Sequence, residues 1–498
     1  MSQFRKVLIA NRGEIAIRVM RACRELGLQS VAVYSEADAV APHVAGADAA
    51  VCIGPAPSSE SYLKIPNLLD AARATGADAI HPGYGFLAEN ATFARAVCDA
   101  GLTFIGPTPE AIAAMGDKTL ARRTVESAGV PVVPADDDPP RGGEPLIVAA
   151  RRLGYPLLVK AAAGGGGKGM RVVRDQHALL AAFDAAAREA RGAFGDDRLF
   201  LERYVERPRH IEVQVLADNH GHIVHLGERE CSIQRRHQKI IEETPSPVVD
   251  PGLRRRLTEA ALAAARCVGY RSAGTVEFLL DDSGEFYFLE MNTRLQVEHP
   301  ITELVTGIDL VQAQLRVAMG EPLWLQQADV VNRGHAIECR ICAEDPAQQF
   351  LPSPGTIVHL REPQGPGIRV DSGIATGYTV PLHYDPLLAK LSVWGETRAA
   401  ARRRMRTALR DYVVLGCTTA IPFLLDLLEH PAFVSGETHT QFIPEHFPAW
   451  RGGEQHRLVA AIAAAIDVAR APRGTSGEGP LAPSISPWST LGHWRLGQ

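Results

Sequence analysis

Strands that alternate with helices open this chain, and that order restricts the fold more than any other feature of the sequence. The apolar run Val7–Ala10 is typical of a buried strand, and from Ile15 onward apolar residues recur at helical spacing. Ser30–Tyr34 and Ala77–Ile80 are predicted as later strands. Because parallel strands need crossover connections, which helices usually supply, this order predicts a parallel sheet covered by helices. The loop at 11–14 is Asn-Arg-Gly-Glu, which is not a dinucleotide-binding fingerprint.

Size, charge and cysteine spacing exclude several classes of protein. The 498 residues are enough for about three domains at roughly 150 residues each. The net charge of −5, with no basic stripe, argues against nucleic-acid binding. No apolar run is long enough to cross a bilayer and no secretion signal opens the chain, so we expect no membrane association and a cytoplasmic location. The eight cysteines lack the spacing of a metal site, and we expect free thiols.

The rest of the chain is predicted to mix strands and helices. Thr275–Leu280 and Glu285–Met291 are expected to pair as a hairpin, because the Asp-Asp-Ser-Gly between them favours a turn. After 447 the composition changes to an alanine-rich helix over 458–469 and a Pro/Gly/Ser linker over 472–487. Further helices are predicted over 111–128, 178–191, 253–268 and 397–412, and further strands over 156–160, 170–173, 210–216 and 223–226.

A glycine run follows the strand that ends at Lys160. Backbone amides of such a loop can approach phosphate oxygens, and the lysines at its ends add positive charge. It runs into a strand and not a helix, which excludes a dinucleotide loop, and Gly169 stands where a P-loop needs Ser or Thr. We therefore predict a flap that closes over phosphates; a flexible surface turn is the alternative.

A second pattern places polar residues at every other position between 290 and 298. In an extended chain these side chains lie on one face, and the wet face of an antiparallel strand is the alternative. The set contains the carboxylates, amides and guanidinium that bind Mg²⁺ and an oxyanion. Glu277 lies on the facing hairpin strand and can converge on the same cation. The residues are Glu290, Asn292, Arg294, Gln296 and Glu298.

Eight short motifs, in the same order over about 1–446, resemble those of biotin carboxylase, an ATP-grasp enzyme. They are ANRGEIA (10–16), HPGYGFLAEN (81–90), MGDK (115–118), GGGGKGM (164–170), RHIEVQV (209–215), ECSIQRRHQK (230–239), EMNTRLQVEHP (290–300) and ECRICAE (338–344).

The resemblance implies an ATP-grasp fold of mixed α/β and α+β class. It implies a Rossmann-like N-terminal domain over 1–114, an ATP-grasp domain over 115–325 with a mobile lid at about 132–204, a mixed α+β domain over 335–446, and a tail over 447–498. The implied reaction is the carboxylation of biotin on a carrier, with ATP, bicarbonate and Mg²⁺ or Mn²⁺, through carboxyphosphate, as the first half-reaction of an acyl-CoA carboxylase. Implied partners are a biotin carboxyl carrier protein or domain, carboxyltransferase subunits and a second copy of the chain in a homodimer.

The resemblance also assigns roles to individual residues. ATP would be bound by Lys118, Lys160, Gly166, Gly167, Glu202, Arg203, Tyr204, Val205, His210, Gln234, His237, Glu277 and Glu290. The metal would be held by Glu277, Glu290 and Asn292. Bicarbonate would be held by Lys239, Arg294, Gln296 and Val297 and deprotonated by Glu298, while Arg340 and Tyr84 would face biotin. The structural alternative for Arg340 is pairing with Glu338 on the same strand face.

The biotin carrier is expected on another polypeptide or outside this chain. A biotinyl lysine normally lies in Met-Lys-Met, and the sequence has no Met-Lys and no lysine after Lys390. The segment at 486–496 resembles the one that follows this module in acyl-CoA carboxylase α subunits. Two rival functions are another ATP-grasp ligase acting through an acyl phosphate and a non-catalytic nucleotide-binding regulator. Arg294, Glu298 and Arg340 argue against the first, and the presence of both the metal carboxylates and the base Glu298 argues against the second.

Overall fold

A parallel sheet with helical crossovers forms the N-terminal part of the molecule. The structure is a computed structural model that describes residues 4–162, 170–452, 462, 465 and 466. The first elements are β1 (Lys6–Ile9), α1 (Gly13–Glu25), β2 (Gln29–Tyr34), α2 (Pro42–Ala45), β3 (Ala49–Cys52), α3 (Ile65–Thr75), β4 (Ala79–His81), α4 (Ala91–Asp99) and β5 (Thr103–Phe104).

The five strands of this region lie in the order β3-β2-β1-β4-β5 and all pair in parallel. Helix α1 packs its buried residues Ile15, Val19 and Ala22 against the sheet, which is the apolar face that the sequence predicts. Gly27 follows this helix with φ of +71°, a left-handed conformation that glycine adopts without strain. The predicted parallel sheet is confirmed.

The middle region contributes most of the elements around the candidate site. They are α5 (Pro109–Gly116), α6 (Lys118–Ser127), β6 (Ala135–Asp136), α7 (Gly143–Leu153), β7 (Leu157–Ala161), β8 (Arg171–Val173), α8 (Gln176–Phe194), β9 (Leu199–Arg203), β10 (Arg209–Ala217), β11 (Ile223–Arg235), β12 (Gln238–Thr244), α9 (Pro251–Cys267), β13 (Ser272–Leu280), β14 (Phe286–Asn292), α10 (His299–Thr306) and α11 (Leu310–Ala318).

The single helix predicted over 111–128 is wrong. The backbone of Asp117 is extended, with φ −90° and ψ 112°, and separates α5 from α6. Its carboxylate accepts a hydrogen bond from the amide of Leu120 at 2.9 Å and so caps the new helix. Because aspartate satisfies free amides at a helix start, the polar residue inside an apolar pattern is a boundary. Lys118 becomes the first residue of α6.

Two antiparallel sheets follow. Four short strands form a sheet in the order β6-β9-β7-β8, with α7 and α8 contributing to the same apolar core. An eight-stranded sheet begins with β14-β13-β10-β11-β12. The predicted hairpin is confirmed, since β13 and β14 pair antiparallel and place Glu277 opposite Glu290. Strand β11 has 13 residues, so the strand predicted over 223–226 is far too short.

The C-terminal region extends the same eight-stranded sheet by β15, β22 and β20. Strand β15 pairs with β12, so backbone hydrogen bonds join the middle and C-terminal regions. Its elements are β15 (His335–Cys342), β16 (Glu344–Asp345), β17 (Leu351–Pro352), β18 (Gly355–Thr356), β19 (His359–Arg361), β20 (Ile368–Ser372), β21 (Thr379–Val380), β22 (Leu387–Gly395), α12 (Arg398–Asp411), β23 (Val413–Leu415), α13 (Ile421–Glu429), α14 (Pro431–Ser435) and α15 (Phe442–His446).

Several predictions fall on residues that the structure does not describe. The glycine run at 163–169, the linker at 472–487 and the tail at 486–496 lie outside the described residues, as does most of the helix predicted over 458–469. Within the described part of the chain, every helix is too short or too polar to cross a membrane.

Candidate active site

Two carboxylates face each other across the hairpin of β13 and β14. Glu277 pairs with Glu290, and Asn292 follows two residues later on the same side of β14. Burial and the neighbouring Glu277 raise the pKa of Glu290, because two close anions in a buried place repel each other. The buried side-chain nitrogen of Asn292 has no hydrogen-bond partner among the described residues. Two carboxylates and an amide oxygen are the hard donors that fit Mg²⁺.

Lys239 on β12 is the centre of the site. Its ammonium lies 2.7 Å from a carboxylate oxygen of Glu277, 2.7 Å from Glu298 and 2.5 Å from Glu212. Burial acts to lower the pKa of Lys239, but the three carboxylates outweigh it and raise the pKa well above the usual value. Lys239 therefore stays protonated, and its contacts join strands β10, β12 and β13 to the loop before α10.

Glu298 is fully buried immediately before α10. Its two oxygens accept from Lys239 at 2.7 Å and from Arg340 at 2.9 Å. Burial alone would raise the pKa of this carboxyl, but Lys239, Arg340 and Arg229 together hold the pKa below its usual value. Without an added anion, Glu298 is thus an ionised carboxylate with two cationic partners.

Arg340 reaches this cluster from β15. Its Nε donates to Glu242 at 2.7 Å and its Nη2 to Glu298 at 2.9 Å. Pairing with Glu338 is the wrong alternative, since Glu338 instead accepts from Ser392 at 2.6 Å. Burial, only partly offset by Arg340, raises the pKa of Glu242 to about 7. The guanidinium therefore bridges one acid of raised pKa and one of lowered pKa.

Arg294 closes the opposite side of the site. Its guanidinium donates to Asn292 at 2.8 Å, to Gln296 at 3.0 Å and to Glu89 at 2.7 Å. Gln296 in turn donates to Glu277 at 3.0 Å. The residues of the alternating pattern therefore do converge, together with Lys239.

The prediction that one extended strand places these side chains on a common face is nevertheless wrong beyond Asn292. Strand β14 ends at Asn292, and 293–297 form a loop before α10. Arg294, Gln296 and Glu298 therefore come together through a folded loop and not through the period of a strand.

Three of the predicted ATP residues lie beside Glu277 and at the turn between β11 and β12. Nε2 of His210 lies 2.8 Å from Glu277, and Gln234 approaches Nδ1 of His210 at 3.5 Å. Partial desolvation and the nearby charges of His210, Lys160 and Lys118 lower the pKa of His237, which lies at the turn after β11.

Lys160 and Lys118 approach the same region from different elements. Lys160 on β7 forms an ion pair with Glu202 on β9. Burial lowers the pKa of Lys118, while the charges of Glu290 and Glu202 act to raise it and that of Lys160 to lower it.

Three further residues predicted for ATP lie at and just beyond the end of β9. Arg203 donates to the hydroxyl of Tyr287 at 2.7 Å, and the amide of Tyr204 donates to Pro156 at 3.0 Å. Val205 is half-buried beyond them. Gly166 and Gly167, predicted for the flap, lie outside the described residues.

Tyr84 lies on the N-terminal side of the cluster. Its hydroxyl donates to Glu14, whose other oxygen lies 3.2 Å from the buried ammonium of Lys390. Lys390 also donates to the carbonyl of Val297 at 2.9 Å. The loop before Glu298 is thereby attached to the N-terminal and C-terminal regions at once.

Four residues of the site were missed from the sequence. Glu89 pairs with Arg294 across 205 positions, and Glu212, Arg229 and Glu242 surround Lys239 and Glu298. Arg229 is fully buried and donates to Glu212, Gln214, Thr275 and Thr302. Glu89 and Glu212 lie inside the motifs HPGYGFLAEN and RHIEVQV, so the resemblance could have identified them. A second signal was the presence of charged residues on strands that are predicted to be buried.

Three family models match the chain in order. Residues 3–112 match the N-terminal domain of biotin carboxylase, 117–326 the ATP-binding domain of the carbamoyl-phosphate synthase L chain, and 338–445 the C-terminal domain of biotin carboxylase. The biotin carboxylase of Nostoc is 53% identical over 443 residues, which cover 89% of this chain and 99% of the relative. The chain belongs to the biotin carboxylase family. This result favours biotin carboxylase over other ATP-grasp ligases, because the two flanking models describe the N-terminal and C-terminal domains of biotin carboxylase.

Other biotin carboxylase relatives agree in length and fold. A pyruvate carboxylase polypeptide of Methanothermobacter thermautotrophicus, one subunit of that enzyme, is 53% identical over 443 residues, covering 89% of this chain and 90% of the relative. The biotin carboxylase domain dimer of 2-oxoglutarate carboxylase from Hydrogenobacter thermophilus, solved with MgADP, ADP and bicarbonate, has a TM-score of 0.87 and 47% identity. That alignment covers 91% of this chain and 100% of the solved one. The predicted ATP-grasp fold class is confirmed.

Proposed function

We propose that this chain carboxylates biotin on a carrier, with ATP and bicarbonate as co-substrates. The observation that carries the proposal is the single buried cluster in which Lys239 contacts both Glu277 and Glu298 while Arg340 contacts Glu298. A metal-binding carboxylate, an acid–base residue and two cations within one cluster are what the reaction of an anion with ATP requires.

The metal and the nucleotide are assigned to residues on and beside the hairpin of β13 and β14. Glu277, Glu290 and Asn292 would hold Mg²⁺ or Mn²⁺, which neutralises phosphate charge when bound. Lys118 and Lys160 would face the phosphates, with Gly166 and Gly167 closing over them. Glu202, Arg203, Tyr204, Val205, His210, Gln234 and His237 would hold the rest of the nucleotide.

Bicarbonate would enter between Lys239 and Arg294, with Gln296 and Val297 beside it. An anion there draws the two cations toward itself, and the pKa of Glu298 then rises from its lowered value. Glu298 takes the proton of bicarbonate, and the freed oxygen attacks the γ-phosphorus of ATP. The bond to ADP breaks, and carboxyphosphate forms.

Biotin would receive the carboxyl group on the Tyr84 and Arg340 side. Carboxyphosphate releases CO₂, the phosphate takes the N1 proton of biotin, and the new bond joins N1 to the carbon of CO₂. Arg340 would stabilise the enolate-like oxygen of biotin during this step, because a guanidinium offers a planar pair of donors to developing negative charge.

The assembly around this chain is part of the proposal. The similarity to one subunit of a pyruvate carboxylase, and to a dimeric biotin carboxylase domain, supports a carrier protein or domain, carboxyltransferase subunits and a homodimer. The domain boundaries near 114, 325 and 446 are part of the proposal; the three matched family models span 3–112, 117–326 and 338–445. All eight cysteines are free, which suits a reducing compartment such as the cytoplasm.

The test measures bicarbonate-dependent ATP hydrolysis by the purified chain with and without free biotin. We expect turnover that requires Mg²⁺ and bicarbonate and rises when biotin is added. Turnover that biotin leaves unchanged but that rises with ammonia or another amine would contradict the proposal and favour a different ATP-grasp ligase. Glu290→Gln is the companion variant, and it should raise the Mg²⁺ concentration needed for half-maximal turnover.

A further inference from the structure

Two histidines and one glutamate meet around α15, apart from the residues assigned to ATP, bicarbonate and biotin. One ligand atom from each of His439, Glu445 and His446 lies within 4.8 Å of the other two. Nε2 of His439 is 3.4 Å from Oε2 of Glu445. Ligands at about 2.0–2.2 Å around a tetrahedral zinc ion are separated by roughly 3.3–3.6 Å, so this pair already has the spacing of two zinc ligands.

The third side chain needs little movement to join them. His446 is exposed at the last position of α15, so its imidazole can shift by the distance on the order of 1 Å that zinc coordination requires. The ring of His430 lies 4.4 Å from that of His446, and the ring of Phe442 lies 4.6 Å away. These two neighbours restrict the orientation of His446 and add a further imidazole to the cluster.

A positive charge already occupies the space between the first two ligands. Nη2 of Arg207 lies 2.9 Å from Nε2 of His439, and the same guanidinium lies 3.3 Å from Glu445. The amide of Gln441 approaches Nδ1 of His439 at the longer distance of 3.2 Å. Both groups can only donate and a neutral imidazole has one lone pair, so His439 accepts from one of them; the tautomer with its lone pair at Nε2 is the one that suits a cation beside Glu445. The cluster therefore directs a lone pair and a carboxylate toward one cation.

The competing arginine is free to leave. The side chain of Arg207 is 57% exposed, so it can turn into solvent at little cost.

We propose that His439, Glu445 and His446 form a binding site for Zn²⁺, with His430 or water as the fourth ligand. Two imidazoles and one carboxylate are a common donor set for zinc, whereas Mg²⁺ prefers oxygen ligands and would not compete. The site lies outside the proposed chemistry, so its occupancy and the carboxylation of biotin are tested separately.

The experiment titrates the full chain, freed of metal by a chelator, with Zn²⁺ in a calorimeter and with Co²⁺ in a spectrophotometer. With excess Mg²⁺ present to occupy the carboxylates proposed for that metal, we expect one Zn²⁺ or Co²⁺ ion per chain and a cobalt spectrum without a thiolate charge-transfer band, because no cysteine belongs to the site. His446→Ala and Glu445→Gln should each weaken Zn²⁺ binding by roughly tenfold or more. His359→Ala, which removes an exposed histidine on β19, is the matched control and should leave binding unchanged.

Arg207→Asn tests the competition between the guanidinium and the ion. Asparagine tolerates the left-handed backbone of this position, where φ is +45°, and carries no charge. It should tighten Zn²⁺ binding, and unfolding is recognised separately because exposed cysteines would give a thiolate band with Co²⁺. The proposal is overturned by a wild-type chain that binds no Zn²⁺ at micromolar concentration, by a thiolate band with Co²⁺, by equal affinities of the His446→Ala and His359→Ala chains, or by unchanged or weaker binding in Arg207→Asn.

Discussion

Glu298→Gln removes the charge of the proposed base while keeping the size of its side chain. The carboxylate accepts from Lys239 at 2.7 Å and from Arg340 at 2.9 Å, one bond to each oxygen. A glutamine offers a single acceptor oxygen, so its amide nitrogen must face one of the two cationic donors. The loss of one charge-assisted hydrogen bond is worth about 1.5–3 kcal/mol of folding stability, which a chain of this size tolerates.

The effect on the rate should be larger than the effect on the fold. General-base catalysis contributes roughly 10²–10⁴-fold, so the turnover number for bicarbonate-dependent ATP hydrolysis should fall by that factor, or about 2.7–5.5 kcal/mol in the barrier. The dissociation constant for ATP should change little, because the contacts of Glu298 are to Lys239 and Arg340. The assay is coupled ADP release at saturating bicarbonate, beside nucleotide binding measured directly.

Glu242→Gln is the matched control for this variant. Glu242 is also fully buried and also accepts a hydrogen bond from Arg340, at 2.7 Å, but has no proposed proton-transfer role. We expect this variant to keep its turnover within about tenfold of wild type. Equal losses in the two variants would refute the base assignment, since the loss would then follow from disturbing Arg340.

Three further predictions concern the same cluster. Arg340→Ala should lose carboxybiotin formation far more than ATP affinity, and parallel losses in product assays and nucleotide titrations would contradict its role at biotin. Arg229→Leu leaves Glu212 buried with Lys239 as its remaining partner, so the free energy of unfolding should fall by about 3–5 kcal/mol in denaturant titrations; a fall below about 1 kcal/mol would show that Lys239 alone suffices. Burial raises the pKa of Glu242 from 4.5 to about 7, so the folded state keeps a proton that the unfolded chain releases between these values. The stability from that proton is present below pH 4.5 and lost as the pH rises through 7, and Glu242→Gln should flatten this decline when denaturation midpoints at pH 5 and 8 are compared; an unchanged slope would contradict it.

Short-range patterns in the sequence predicted the local structure well. The hairpin of β13 and β14 was predicted because alternating apolar residues and a Gly-containing turn lie within 20 residues of each other. Helix α1 was predicted because its apolar positions share one face. The boundary between α5 and α6 at Asp117 was missed. The helical period of apolar residues does not distinguish an aspartate that caps a helix from one that faces solvent.

The site itself was only partly accessible to such reasoning. Glu277 and Glu290 were placed together correctly because the turn between them fixes their pairing. The contacts of Lys239 with Glu212, and of Arg294 with Glu89, join residues that are 27 and 205 positions apart, and no periodicity of one segment encodes them. Those pairs depend on strand order and loop path, which are properties of the folded chain.

The pairing of β12 with β15 has a consequence for any shortened form of this protein. Strand β12 carries Lys239 and Glu242, and its outer edge is covered by β15, the strand that supplies Arg340. A fragment that stops before His335 would expose a row of unpaired amides and carbonyls along a central strand, which is a template for self-association. Such a fragment would also lose Arg340, one of the two cations that contact Glu298, so we expect the matched ATP-binding region to be inactive when it is excised.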